Sequence, residues 1–269
     1  MRCEGARLKG VNKKSLSDKP LVTIITATYN VAQLLSCTIK SIREQTYGSI
    51  EWIVVDGASR DGTVELIRQN EDVIDYWVSE PDSGIYDAWN KGVSLANGEW
   101  IAFLGAGDVY LPQAVEQYAD YIASNEGKHL DYISSRVDLD NLRLEHIQAI
   151  GTRWSWPEFR KKMNVAHVGS LHHRSLYERY GLYDTAYKIV GDYELLLRPR
   201  NSLRAGFFDS TTARMLSGGA SSDMGRAFVE ARRAKHVTGG RANILCMLDN
   251  AVDVTKIIIK KILFRKYRF

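Results

Sequence analysis

Residues 21–56 read LVTIITATYNVAQLLSCTIKSIREQTYGSIEWIVVD, and the fold follows from this stretch. Leu21 to Ala27 is a short run rich in Val, Ile and Thr, the make-up of a strand buried on both faces. Leu34, Thr38, Ile39 and Ile42 then recur at helical spacing, and Glu51 to Val55 returns to the strand pattern. Asp56, Gly57, Ser59, Asp61 and Gly62 are turn formers, with Thr63 placed to cap a further helix. Outward along the chain, Val73–Val78 and Trp100–Leu104 repeat the strand pattern on either side of a helix running from about Ile85 to near Gly98. Strand and helix alternate, so residues 20–110 predict a parallel sheet with crossover helices.

The remainder is less regular. Pro112 is suited to open a helix through Val115, Tyr118, Ala119 and Ile122, and Asp131 to Val137 reads as a strand. A loop with Trp154, Trp156 and Pro157 precedes a strand and helix near His167 to Tyr180. Residues 1–19 are basic and aperiodic, the composition of a disordered leader, and from about residue 216 the chain is polar and basic, then helical. Six Lys/Arg lie in residues 1–19, with Glu4 and Asp18, and six in 256–269 with no acid. Without these ends the 36 basic and 32 acidic side chains become 24 and 30, a body that disfavours nucleic-acid binding. Cys3, Cys37 and Cys246 show neither disulfide nor zinc spacing, which fits a reducing, cytoplasmic setting. No run reaches the length of a membrane span, and the first residues lack the apolar stretch of a secretion signal.

Open α/β sheets bind ligands outside the carboxyl ends of their strands. Four such ends are polar here: Thr28, Tyr29 and Asn30; Asp56; Glu80 to Gly84; and Gly105 to Asp108. Asp56 is placed to accept from a nucleobase imide or a ribose hydroxyl, with a turn-forming role as the alternative. Asp87, Asn90 and Lys91 share one helical face that could meet a phosphorylated ligand, or could be a solvated face. Asp108 follows the small residues Gly105, Ala106 and Gly107, and a lone strand-end carboxylate suits Mg²⁺ or Mn²⁺ shared with substrate phosphates, or else a helix cap. The chain has TATYNVAQ where a dinucleotide fold needs GxGxxG, so a nicotinamide oxidoreductase is improbable.

Four segments in order, PLVTIITATYN, VVDGASRDGT, EPDSGIYDAWNKGVSLANGEWIAFLGAGD and YKIVGDYELLLR, resemble the inverting family 2 glycosyltransferases of bacterial surface polysaccharide assembly. The resemblance spans about Pro20 to Arg198 and implies a GT-A-like mixed sheet flanked by helices, with a C-terminal helical tail. It divides the chain into a nucleotide-sugar half (20–110), an acceptor half (111–215) and a basic helical extension (216–269). By this likeness Thr28, Tyr29, Asn30 and Asp56 hold the uracil and ribose of a UDP-hexose or UDP-N-acetylhexosamine. Asp87, Lys91 and Gly107 complete the donor pocket, and Asp108 carries Mn²⁺ or Mg²⁺ on the diphosphate. Ala106 departs from the acidic pair or triplet usual in this loop.

Asp192, in Gly191-Asp192-Tyr193-Glu194, matches the family's catalytic base, which must accept the acceptor hydroxyl's proton as the new bond forms. Its structural alternative is an N-cap. His167, Trp156 and Glu194 are candidate acceptor contacts, set against core packing for the tryptophan and a structural role for the glutamate. The segment DVTKIIIKKILFRKYRF (253–269) has the pattern of a basic amphipathic helix on an anionic membrane surface, or of a packed helix with a solvated basic face. A lipid-linked or glycan acceptor at the inner face of the membrane would fit the former. The rival reading is a catalytically weakened nucleotide-binding scaffold, suggested by Ala106.

Overall fold

The computed structural model describes residues 2–5, 13, 15, 20–124, 129–141, 145–218, 223–252 and 255. The expected crossover is present: β2 (Val22–Thr28), α1 (Ala32–Arg43) and β3 (Ile50–Asp56), after a short β1 (Arg2–Glu4). Then come α2 (Thr63–Gln69), β4 (Tyr76–Ser79), α3 (Ile85–Leu95) and β5 (Trp100–Phe103). The second half runs β6 (Val109–Tyr110), α4 (Ala114–Ala123), β7 (Tyr132–Asp140), β8 (His146–Ile150), α5 (Trp156–Phe159), β9 (Ser170–His173), α6 (Arg174–Tyr180), α7 (Gly191–Leu197), β10 (Ala205–Leu216) and α8 (Met224–Arg233).

The strands form one mixed sheet in the order β1-β4-β3-β2-β5-β9-β7-β10-β6, with β8 paired to β7. Strands β4, β3, β2 and β5 are parallel, β9 runs against β5 and β7, and β10 is parallel to β7. Alternation along the central strands sorts the core into two layers. Val22, Ile24, Trp52 and Val54 meet α1, α2 and α4 through Leu35, Ile39, Ile67 and Tyr118. Ile25, Ile53 and Val55 meet α3, α6 and α7 through Tyr86, Val93, Leu176 and Leu195–Leu197. Both faces are covered, which is why these strands read as continuous apolar runs.

Two expectations need correction. Arg2–Glu4, read as part of a disordered leader, pairs with the edge strand β4, Cys3 opposite Val78, because that edge offers unpaired backbone groups. The stretch after residue 216 is no simple appendage: α8 and a π-helical turn at Ala234–Thr238 pack back, with Ala234 in the second core layer. The membrane-surface expectation for DVTKIIIKKILFRKYRF lies outside the described residues, apart from Thr255. Among the described residues no helix is long and apolar enough to cross a membrane.

Candidate active site

Register sets Thr28 opposite Asp56, and Asp56 opposite Ser79, at the carboxyl ends of β2, β3 and β4. Thr28 Oγ1 donates to Asp56 Oδ1 at 2.9 Å and Ser79 Oγ to Oδ2 at 2.7 Å. Ser59 adds its hydroxyl to Oδ1 at 2.5 Å and its backbone N–H to Oδ2 at 2.9 Å. These four donors make a wholly buried carboxylate tolerable. Direct contact of Asp56 with base or ribose is therefore corrected here: its oxygens face inward and shape the loop after β3.

That loop is locked to the one after β2. Asn30 N donates to Ser59 Oγ at 2.8 Å, Arg60 N to Asn30 Oδ1 at 2.9 Å, and Ala32 N to Asp61 Oδ2 at 3.0 Å. Asn30 takes a left-handed φ of 51°, which asparagine adopts more readily than most residues. Tyr29 stands out at the tip, 65% exposed. A methyl group on Gly57 would lie 2.7 Å from Asp82 Oδ2 and 3.3 Å from the Tyr29 ring, so these three converge.

Asp82 Oδ1 accepts from Gly84 N, and Asp87 Oδ2 from Ser83 N, each at 2.9 Å, turning the chain into α3. Lys91 Nζ lies 3.0 Å from Glu80 Oε1, 3.2 Å from Pro81 O and 3.8 Å from Asp87 Oδ2, so its charge holds the acidic loop together. Asn90 does not share the ligand-facing role expected of it, because its amide pairs both ways with the Tyr183 backbone at 2.9 Å.

Asp108 closes the loop after β5. Its Oδ1 accepts from Leu216 N at 3.1 Å, and its Oδ2 lies 2.7 Å from where a Gly105 side chain would start. Thr38 Oγ1 accepts from Gly107 N at 3.0 Å and donates to Asp108 O at 2.8 Å, tying Gly107 and Asp108 to α1. Burial pushes the Asp108 carboxyl up to about 7, against the pull of neighbouring backbone N–H groups. It caps no helix, since α4 starts at Ala114 behind Gln113. Among the described residues no group of three His, Cys, Asp or Glu could cage a metal. A hard cation here would take one protein carboxylate and fill its shell from phosphates and water, as Mg²⁺ commonly does.

Asp192 lies in the first turn of α7. The Tyr86 hydroxyl is 2.6 Å from Ile189 O and 3.2 Å from Asp192 Oδ1, within donating reach of both. Gly191 permits this approach, because a side chain there would start 2.8 Å from the Tyr86 ring. From α8, buried Glu230 accepts the N–H groups of Lys188, Ile189 and Val190 at 3.0, 2.9 and 3.2 Å. Lys188 Nζ donates to Ser83 O at 2.7 Å, a second link between this segment and the loop before α3.

His167 stacks on Trp89 at 4.6 Å, its Nε2 3.2 Å from the Tyr183 hydroxyl. Burial lowers its pKa, while the Asp192 charge opposes that shift. Trp156 opens α5 and stacks on Trp154 with centroids 6.5 Å apart. Glu194 is corrected as an acceptor contact: it is buried, bonded by Arg198 Nη2 at 2.6 Å and Thr238 Oγ1 at 2.9 Å. Sequence reasoning missed Ser79, Tyr86 and Glu230, and reached Asp82 only as part of the polar strand end Glu80 to Gly84. Ser79 carried a weak signal, standing just before that segment; Tyr86 and Glu230 carried none, because both act across long sequence separations.

Residues 23–179 match the profile described as glycosyl transferase family 2. The chain belongs to this family. The PGL/p-HBAD biosynthesis glycosyltransferase of Mycobacterium bovis is 31% identical over 185 residues, covering 66% of this chain and 69% of the relative. The fold is shared with the crystal structure of S. aureus TarS 1–349 in complex with UDP-GlcNAc, at TM-score 0.66 and 15% identity, over 81% of this chain and 66% of that one. It is shared too with mannosyltransferase PcManGT from Pyrobaculum calidifontis, solved with GDP-Man and Mn²⁺, at TM-score 0.59 and 17% identity, over 97% and 86% of the two chains. This family 2 glycosyltransferase spans just under two thirds of the TarS fragment. Asp192 lies beyond the residues matched to the family profile.

Proposed function

We propose that this glycosyltransferase moves a hexose or N-acetylhexosamine from a nucleoside-diphosphate donor, with UDP as the nucleotide that its strand-end residues suit, to a hydroxyl of a glycan or lipid-linked acceptor, with inversion. The observation that carries this reading is the Tyr86 hydroxyl, 3.2 Å from Asp192 and one residue from Asp87, which brings the α7 carboxylate to the donor-side helix. In the proposed arrangement residues 20–110 hold the donor and 111–215 the acceptor. Thr28, Tyr29, Asn30, Gly57 and Asp82 surround base and ribose, with Asp56 fixing them from beneath. Asp87, Lys91, Gly107 and Asp108 border the diphosphate.

Asp192 accepts the acceptor's proton as that oxygen bonds to the anomeric carbon, and the bond to phosphate breaks with its electron pair leaving on the nucleoside diphosphate. A divalent cation held by Asp108, when bound, offsets charge on that leaving group. Tyr86 and Glu230 keep the Asp192 carboxylate in place; His167 and Trp156 border the acceptor side.

The test is sugar transfer from UDP-GlcNAc and UDP-glucose with and without Mn²⁺, the anomeric configuration of the product being read by NMR. Asp192→Asn should bind UDP as the wild type does and lose about 10²- to 10⁴-fold in kcat. Tyr86→Phe should lose about tenfold in kcat at unchanged donor KM, on the scale of one hydrogen bond to a charged group. Near wild-type turnover by Asp192→Asn, or a retained anomeric configuration, would sink the assignment.

A further inference from the structure

Residues 243–252 form a helix whose polarity is inverted. Its inward side is polar: Cys246 is buried, Arg241 Nε and Nη2 each donate to Asp249 at 2.8 Å, and Lys235 Nζ donates to Asn250 Oδ1 at 3.1 Å. Its outward side carries Ile244, Met247, Leu248 and Val252, at i, i+3, i+4 and i+8, exposed by 64%, 45%, 56% and 52%. A helix bordering water places its polar stripe there instead. Leaving these side chains in water forgoes their transfer free energy, so the stripe calls for an apolar cover.

The charge of the following sequence selects the cover. Residues 254–269 contain Lys256, Lys260, Lys261, Arg265, Lys266 and Arg268 and no acid. A second copy seated on the stripe by two-fold symmetry would bring like charges to one interface, a repulsion that disfavours pairing. An anionic lipid surface satisfies stripe and charge together, since the acyl boundary takes apolar side chains and the headgroups attract neighbouring cations. We propose that helix 243–252 is a lipid-contact surface, lying in the plane of an anionic membrane with the Ile244–Met247–Leu248–Val252 stripe in its apolar layer. Its described part, residues 243–252, is shorter than a bilayer span and is placed to lie upon a membrane surface. The proposal is independent of the sugar-transfer assignment.

Co-sedimentation of the full chain with vesicles tests it, using phosphatidylcholine alone against phosphatidylcholine with about 30% phosphatidylglycerol. Wild type should bind the anionic vesicles about tenfold more tightly than the neutral ones, and less as salt rises. Ile244→Ser with Leu248→Ser should weaken that binding at least about tenfold, with circular dichroism and Tm unchanged, because both side chains are already exposed. Lys260→Glu with Lys261→Glu should weaken it similarly and leave the neutral-vesicle binding alone. Equal binding by the serine variant overturns the proposal, as does absence of wild-type binding. A wild-type dimer in sedimentation velocity that the serine variant dissolves, without vesicle binding, assigns the stripe to a second copy instead.

Discussion

Asp108 and Asp56 are both strand-end carboxylates, yet their surroundings give them opposite characters. Asp56 receives hydroxyl and N–H donors from three segments and is buried without exposed oxygen. Asp108 has backbone N–H partners only, and burial lifts it to about 7. An unfolded aspartate titrates near 3.9, so the folded state binds the extra proton between about pH 4 and 7. Stability therefore falls as pH rises through that window, and the full penalty is present above it. Asp108→Asn removes the penalty while keeping an acceptor for Leu216 N. Its metal-free Tm at pH 8 should rise by about 3–6 °C, on the scale of roughly 1.5 kcal/mol, and any Mn²⁺-induced stabilisation of the wild type should vanish. Scanning fluorimetry with and without Mn²⁺ reads both. The sequence marked Asp108 as chemically exceptional through its small neighbours; that it would face the end of β10 required the fold.

At the scale of elements, α7 is held by a partner from beyond the expected catalytic unit. Its entry segment supplies three backbone N–H groups that a loop in water would leave to solvent, and Glu230 of α8 accepts them. Burial pushes this carboxyl up, but those N–H groups and Arg226 outweigh it and hold it below the usual glutamate range. The stabilisation is present above the unfolded value, near 4.3, and is lost as pH falls through the lowered folded value. Glu230→Gln should cost about 1–3 kcal/mol at pH 7, measured by urea denaturation, with the gap to wild type closing toward pH 3. Since Ile189 O also meets Tyr86, the same variant should lower transfer more than UDP binding. Helix periodicity revealed α1 and α3 because their apolar faces repeat; it was silent about α8 as a clamp, since one glutamate on a basic helix has no period.

For the molecule as a whole, the sheet's antiparallel strand β9 places histidine in the core. His172 is fully buried, its Nδ1 2.6 Å from the Tyr177 hydroxyl, and its Nε2 has no partner among the described residues. Burial holds its pKa well below 6.5, helped by His167, and His167 is lowered by burial too. Both must charge on unfolding in acid, so stability is complete above about pH 6.5 and declines as pH falls below it. His172→Phe should shrink the loss of Tm between pH 7.5 and pH 5; an unchanged loss would assign the acid sensitivity elsewhere. The sequence alone determined the strand-and-helix alternation, the parallel half and the strand-end acids, because burial on two faces and local turn chemistry leave periodic, short-range marks. Only tertiary structure decided that Asp56 turns inward, that Glu194 belongs to Arg198, that Arg2–Glu4 extends the sheet and that Tyr86 meets Asp192. Those contacts join residues far apart in the chain, and their free energy depends on register and close approach, which no local pattern records.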